Sequence, residues 1–127
     1  MKKIIILLIT IVSISSCSSN DDDTVTADAI IGKWQFTSQK VNGVEDSTIC
    51  DKKMTFDFSA DNKIIITRYS RSSADVCDIP ENINATWKNN GNSNYTITSG
   101  SNSINLVISG NTLAETTSDY VVIFTRI

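Results

Sequence analysis

The chain contains no histidine, one proline, five glycines and three cysteines in 127 residues. Histidine is the side chain most used for proton transfer near neutral pH, and with cysteine it supplies most zinc ligands. No Gly-x-Ser-x-Gly elbow and no phosphate-cradling glycine loop occurs. The carboxylates that remain, such as Asp51, Asp57 and Asp75, fall in loops or at outward strand positions, where solvated surface charge is their expected role. These absences argue against an enzyme and against a metal or cofactor site. Positive charge is also short, with 11 Lys and Arg against 14 Asp and Glu. Such a chain has no electrostatic footprint for nucleic acid.

What is present begins at the N-terminus. Lys2 and Lys3 precede a run from Ile4 to Ile14 that only Thr10 and Ser13 interrupt. That is the n-region and h-region of a secretory signal, and it is shorter than the roughly 20 apolar residues of a membrane-spanning helix. The run ends in Ile14-Ser15-Ser16-Cys17, which resembles the bacterial lipobox. The resemblance implies a signal peptide over residues 1–16 and a mature chain whose first residue, Cys17, is acylated. Several acyl chains anchor a protein to a membrane without spanning it. Cleavage there removes two lysines and leaves nine cations against 14 acids. Residues 17–28 then read as an acidic, disordered tether, because three adjacent carboxylates, Asp21 to Asp23, repel one another. An acidic cluster just after the lipidated cysteine is similar to the export signal of Bacteroidetes surface lipoproteins. It implies the outer face of the outer membrane, with a periplasm-facing lipoprotein as the alternative.

Residues 29–127 are long enough for one domain with a modest core. Asn, Ser, Thr and β-branched residues dominate, which favours strands and turns. Met54, Phe56 and Phe58 alternate with Thr55 and Asp57, and Ile104, Leu106 and Ile108 with Asn105 and Val107. Asn42-Gly43, Asp61-Asn62, Asn89 to Asn92, Ser99 to Asn102 and Ser109 to Asn111 read as turns. The polar stretch Ser70 to Asn82, with Pro80, reads as a loop. About eight short strands at this spacing predict an all-β fold, and a meander of hairpins favours a small up-and-down antiparallel barrel. Cys50 and Cys77 are expected to form a structural disulfide in an oxidising compartment, since no Cys-x-x-Cys spacing marks a redox pair.

These features resemble the lipocalin-like domain lipoproteins of Bacteroidetes. Gly32-x-Trp34 opens the first strand, Cys50-Asp51-Lys52-Lys53-x-x-Phe56 enters the next, Cys77 follows the third, and Arg126 sits in the last. The resemblance implies that Trp34 closes one barrel end with Arg126 packed over it. It also makes a small apolar or glycan-like ligand the expected partner, besides the membrane reached through the lipid. The chain is shorter than a typical lipocalin, which bears on the size of any calyx.

The inward positions are Trp34, Phe36, Met54, Phe56, Phe58, Ile64, Ile66, Trp87, Tyr95, Ile97, Ile104, Leu106, Ile108 and Phe124. They could fill the interior solidly, or line a pocket formed chiefly by Phe36, Phe56, Phe58, Ile66, Trp87, Leu106 and Phe124, with Arg68, Tyr69 or Tyr95 at its mouth. A packed barrel acting as a structural or protein-interaction module is the competing function, and its protein partner is not specified by any motif. Asp23-Thr24-Val25 and Asp46-Ser47-Thr48 resemble Bacteroidetes O-glycosylation acceptors.

Overall fold

Period-two alternation decides the architecture. The computed structural model describes residues 27–127. The signal segment, Cys17, the acidic run Asp21–Asp23 and the Asp23-Thr24-Val25 triplet lie outside the described residues. Among these residues the strands are β1 (Gly32–Val41), β2 (Val44–Glu45), β3 (Thr55–Phe58), β4 (Lys63–Ser73), β5 (Val76–Gly91), β6 (Asn94–Ser99), β7 (Asn102–Ser109), β8 (Thr112–Thr116) and β9 (Tyr120–Arg126). Consecutive strands pair antiparallel, and β9 returns to β1 with Trp34 opposite Arg126 and Phe36 opposite Phe124. The result is the expected all-β, up-and-down barrel of eight strands, with β2 as an extra stub on β1. Closure leaves no exposed sheet edge around the barrel wall. Asn42 and Gly43 turn β1 into β2 with φ of 50° and 81°, the two positive values that a tight I′ hairpin requires.

The inner faces meet in a solid core. Phe56 stacks on Phe124 with ring centroids 4.2 Å apart, and Phe36 meets Phe124 edge-on at 5.7 Å. Phe58 touches Trp87 at 6.2 Å, and Trp87 touches Tyr95 at 6.1 Å. All fourteen residues expected to point inward are either buried in this cluster or packed against it. Ile30, Ala85, Leu113 and Val122 complete it.

One end is closed by residues just before β1. Ile30 and Trp34 are both fully buried, and the Trp34 indole Nε1–H donates to the Ile30 carbonyl at 2.8 Å. The Arg126 guanidinium lies 4.2 Å from the Trp34 ring centroid and donates to the carbonyls of Ile31, at 2.9 Å, and Ala29. Gly32 makes this approach possible: its φ is +122°, and a Cβ there would stand 3.0 Å from Arg126 Nη1. Glycine, tryptophan and arginine therefore form one interlocked plug.

The opposite end is built differently from the loop that the sequence suggested. Ser70 to Asn82 belongs to a long hairpin, with Arg68 opposite Glu81 and Tyr69 opposite Pro80. Thr67 is the last β4 residue paired with β3, and Thr86 is the first β5 residue paired with β6. Beyond those points the hairpin is a two-stranded ribbon overhanging the barrel, bulged near Ser70 and Arg71. Most of its side chains, Cys77 excepted, meet solvent whichever face they stand on, so the alternation fades. Pro80 is tolerated because β5 pairs on one edge only there. A disulfide from Cys77 to Cys50, with Cα atoms 5.2 Å apart, holds the ribbon to the 3-10 turn Asp51–Lys53. Lys53 Nζ adds a 2.7 Å hydrogen bond to the Cys77 carbonyl.

Candidate functional site

The overhanging ribbon and the shorter β6–β7 hairpin stand at different heights, and the step between them is a cleft at the barrel mouth. Ile83 stands at the base of the ribbon and Ile66 opposite it at the end of the β3–β4 wall, while Ile97 and Ile104 rise from the β6–β7 wall. With Arg68, Ser99 and Asn102 they enclose about 370 Å³. Ile97 is buried and the other three isoleucines are half-buried, so the floor of the cleft continues into the core. At its rim Arg68 donates through Nη2 to Glu81 at 3.1 Å. Both side chains of that pair are about half exposed, and such pairs contribute only about 0.2–1 kcal/mol. The chemistry offered is an apolar wall with a few polar groups at its edge, the usual composition of a small-molecule site. Among the described residues, no group of three or more His, Cys, Asp or Glu side chains converges as a metal site would.

Of the residues expected to line a pocket, Ile66 and Arg68 border this cleft. Phe36, Phe56, Phe58, Trp87, Tyr95, Leu106 and Phe124 instead pack on one another below it. Their side chains are buried against one another in one cluster, and the cleft lies at the mouth above them. Ile83 escaped the expected lining, although its alternation with Ala85 and Trp87 already placed it on the inner face. Ser99 and Asn102 read only as turn residues. Asp46-Ser47-Thr48 lies between β2 and the 3-10 turn, with the Ser47 hydroxyl bonded to Glu45.

A family model described as a lipocalin-like domain matches residues 30–115, well over half the chain. The chain belongs to this family. The match carries the fold from Ile30 through β8 and ends before β9, so the lipocalin-like barrel's closing Arg126 is placed by the structure alone. No curated protein and no solved structure matches the chain.

Tyr95 sits at the closed end of the lipocalin-like barrel, away from the mouth. Its hydroxyl donates to Asp28 Oδ1 at 2.6 Å, while Asn89 Nδ2 donates to Asp28 Oδ2 at 2.7 Å. Asp28, the last residue of the segment read as tether, is therefore held on the barrel. Burial pushes its carboxyl up, but the bonds from Tyr95, Asn89 and the Ile30 N–H outweigh that and leave it below 3.8. Burial, and then the bond to Asp28 and its charge, push the Tyr95 phenol up to about 12.

A raised phenol pKa contributes stability that is complete below the ordinary value of 10 and is lost as pH rises toward about 12. A lowered carboxyl contributes above 3.8, and the contribution disappears as pH falls through the folded value. Melting temperature followed from pH 8 upward should fall more steeply in the wild type than in Tyr95→Phe. Tyr120, raised by its bond to Glu115, leaves a residual slope in both proteins. Parallel alkaline curves would contradict this account of the latch.

Proposed function

We propose that this lipocalin-like barrel is a lipid-anchored binding module of the bacterial envelope, holding a small, largely apolar ligand in the mouth cleft. The observation that carries the reading is the cleft walled by Ile66, Ile83, Ile97 and Ile104, whose volume of about 370 Å³ is in the range of small-molecule sites. Because the core below is packed, the ligand sits across the mouth rather than deep within the barrel. Anchoring through Cys17 rests on the lipobox-like Ser15-Ser16-Cys17, and display on the outer face rests on the acidic run Asp21–Asp23. With Asp28 fixed at the closed end, a tether from Cys17 would join the barrel at the end opposite the mouth. A second reading, a packed barrel that meets a protein partner, is favoured by the overhanging ribbon, where Val76 and Ile79 are 44% and 50% exposed.

Native mass spectrometry of residues 24–127, which contain the whole barrel and its core, together with titration of the apolar fluorophore N-phenylnaphthylamine, tests the first reading. One equivalent is expected to bind. Ile83→Arg and Ile104→Arg should each weaken it by about tenfold or more, since burying an isoleucine side chain is worth about 1.5–3 kcal/mol. Probe binding that both variants leave unchanged would rule out the mouth cleft as the site.

A further inference from the structure

We infer that the mouth accepts an amphipathic ligand with an uncharged, polyhydroxylated head, its tail in the apolar cleft and its head in a second cleft across Arg68. The inference rests on the mouth cleft being the ligand site. The second cleft encloses about 270 Å³ between the 3-10 turn and the ribbon, and Asp51, Arg68, Tyr69, Ser70 and Glu81 line it. Arg68 lines both clefts, so they adjoin at this residue. One cleft is walled by four isoleucines, whereas the other is walled mainly by side chains that donate or accept hydrogen bonds. A wholly apolar ligand leaves the second cleft unused, and a free sugar leaves the first unused. A molecule with one end of each kind uses both.

The charges in the second cleft select the head. An anionic head reaches Arg68 but faces the carboxylates of Asp51 and Glu81. A cationic head reaches those carboxylates but faces Arg68, with Lys53 Nζ 5.5 Å from the Tyr69 ring. A polyhydroxylated head pays neither repulsion, because each hydroxyl both donates and accepts. Carboxylates accept from it, the guanidinium donates to it, and the Tyr69 and Ser70 hydroxyls do either. Of the five guanidinium N–H groups, the bond to Glu81 engages one, through Nη2. Ser70 lies beyond Thr67, where β4 is no longer paired with β3, so the strand edge adds backbone groups to the same wall.

The test uses one tail and four heads. Calorimetric titration of residues 24–127 with octyl glucoside, octanol, octanoate and octyltrimethylammonium is made below the micellar concentrations of the other three and the solubility limit of octanol, with amide shifts recorded in parallel. Octyl glucoside should bind at least about tenfold more tightly than octanol, the factor that one or two net hydrogen bonds supply. Its amide shifts should spread from Ile83 and Ile104 to Tyr69 and Ser70. Glu81→Gln, whose side chain lines only the second cleft, should erase most of that advantage while leaving octanol affinity in place, and Arg68→Gln should weaken the glucoside by a larger factor than octanol. If octanol binds and the glucoside is no tighter, or if either charged amphiphile is the tightest, the assignment of the head is overturned and the apolar site stands. If none of the four binds, both readings fall together.

Discussion

Replacing Trp34 with alanine should destabilise the barrel by about 3–5 kcal/mol, a large part of the 5–15 kcal/mol that holds a domain of this size together. In a melting experiment that corresponds to a fall of about 15 °C or more. Three losses coincide. The buried ring leaves a cavity at the end of the core, where Trp34 and Ile30 are fully buried. The Ile30 carbonyl loses its indole donor. Arg126 loses the ring face it packs on, a contact worth about 0.5–2 kcal/mol. Trp34→Phe, which keeps most of the apolar volume but not the N–H, should fall between alanine and wild type. Arg126→Ala should cost less than Trp34→Ala, and the two together less than their sum, because each substitution removes the same contact. A Trp34→Ala protein melting within a few degrees of the wild type would show that the plug does not govern stability.

That plug was legible only through the resemblance to lipocalin-like domains, which pairs the tryptophan of a Gly-x-Trp opening with a basic residue of the last strand; nothing in the spacing of Trp34 and Arg126 alone brings them together. The alternations through Phe56, Ile66, Trp87 and Leu106 were legible for a different reason. A strand covered on one face must repeat every second residue, so inward and outward positions separate without any tertiary information. Ile30 was harder to place, since it closes the barrel from a segment outside the strand pattern. The Ser70–Asn82 ribbon was invisible to the same logic, because a two-stranded overhang whose side chains mostly meet solvent, Cys77 apart, carries no steady alternation. Residue type could not separate pocket from core either, as isoleucine and phenylalanine serve both.

What separates them is an offset between strands. β5 runs for 16 residues while its neighbour β6 runs for six. Ile83 and Ile66 consequently stand above the level at which Ile97 and Ile104 end, and the aromatic residues lie below it. Arg68 stands on the inner side of β4, two residues beyond Ile66 and past the last pair with β3, where a charge can face inward and still reach water. A charged residue interrupting an otherwise inward apolar series was thus the best single pointer in the sequence to the height of the mouth.

The second large effect concerns the crosslink that supports this mouth. Cys50 and Cys77 are 27 residues apart, and closing a loop of that length restricts the unfolded chain by about 3–4 kcal/mol at 25 °C. Cys50→Ser, Cys77→Ser and the double variant should therefore melt about 15 °C or more below the oxidised wild type, and close to one another, since each abolishes the same bond. Loss of the bond also has a local consequence. Past Thr67 and Thr86 the ribbon is paired only within itself, and the disulfide and the Lys53–Cys77 hydrogen bond fasten it to the 3-10 turn. Hydrogen exchange should accordingly accelerate more at Arg68 to Ser73 and Val76 to Ile83 than at β7 and β9, measured under conditions where each variant remains folded. Uniform acceleration would mean that the bond acts on the unfolded chain alone. Single and double variants melting with the oxidised wild type would mean that the crosslink contributes nothing, and the ribbon would then have to be held by its hydrogen bonds.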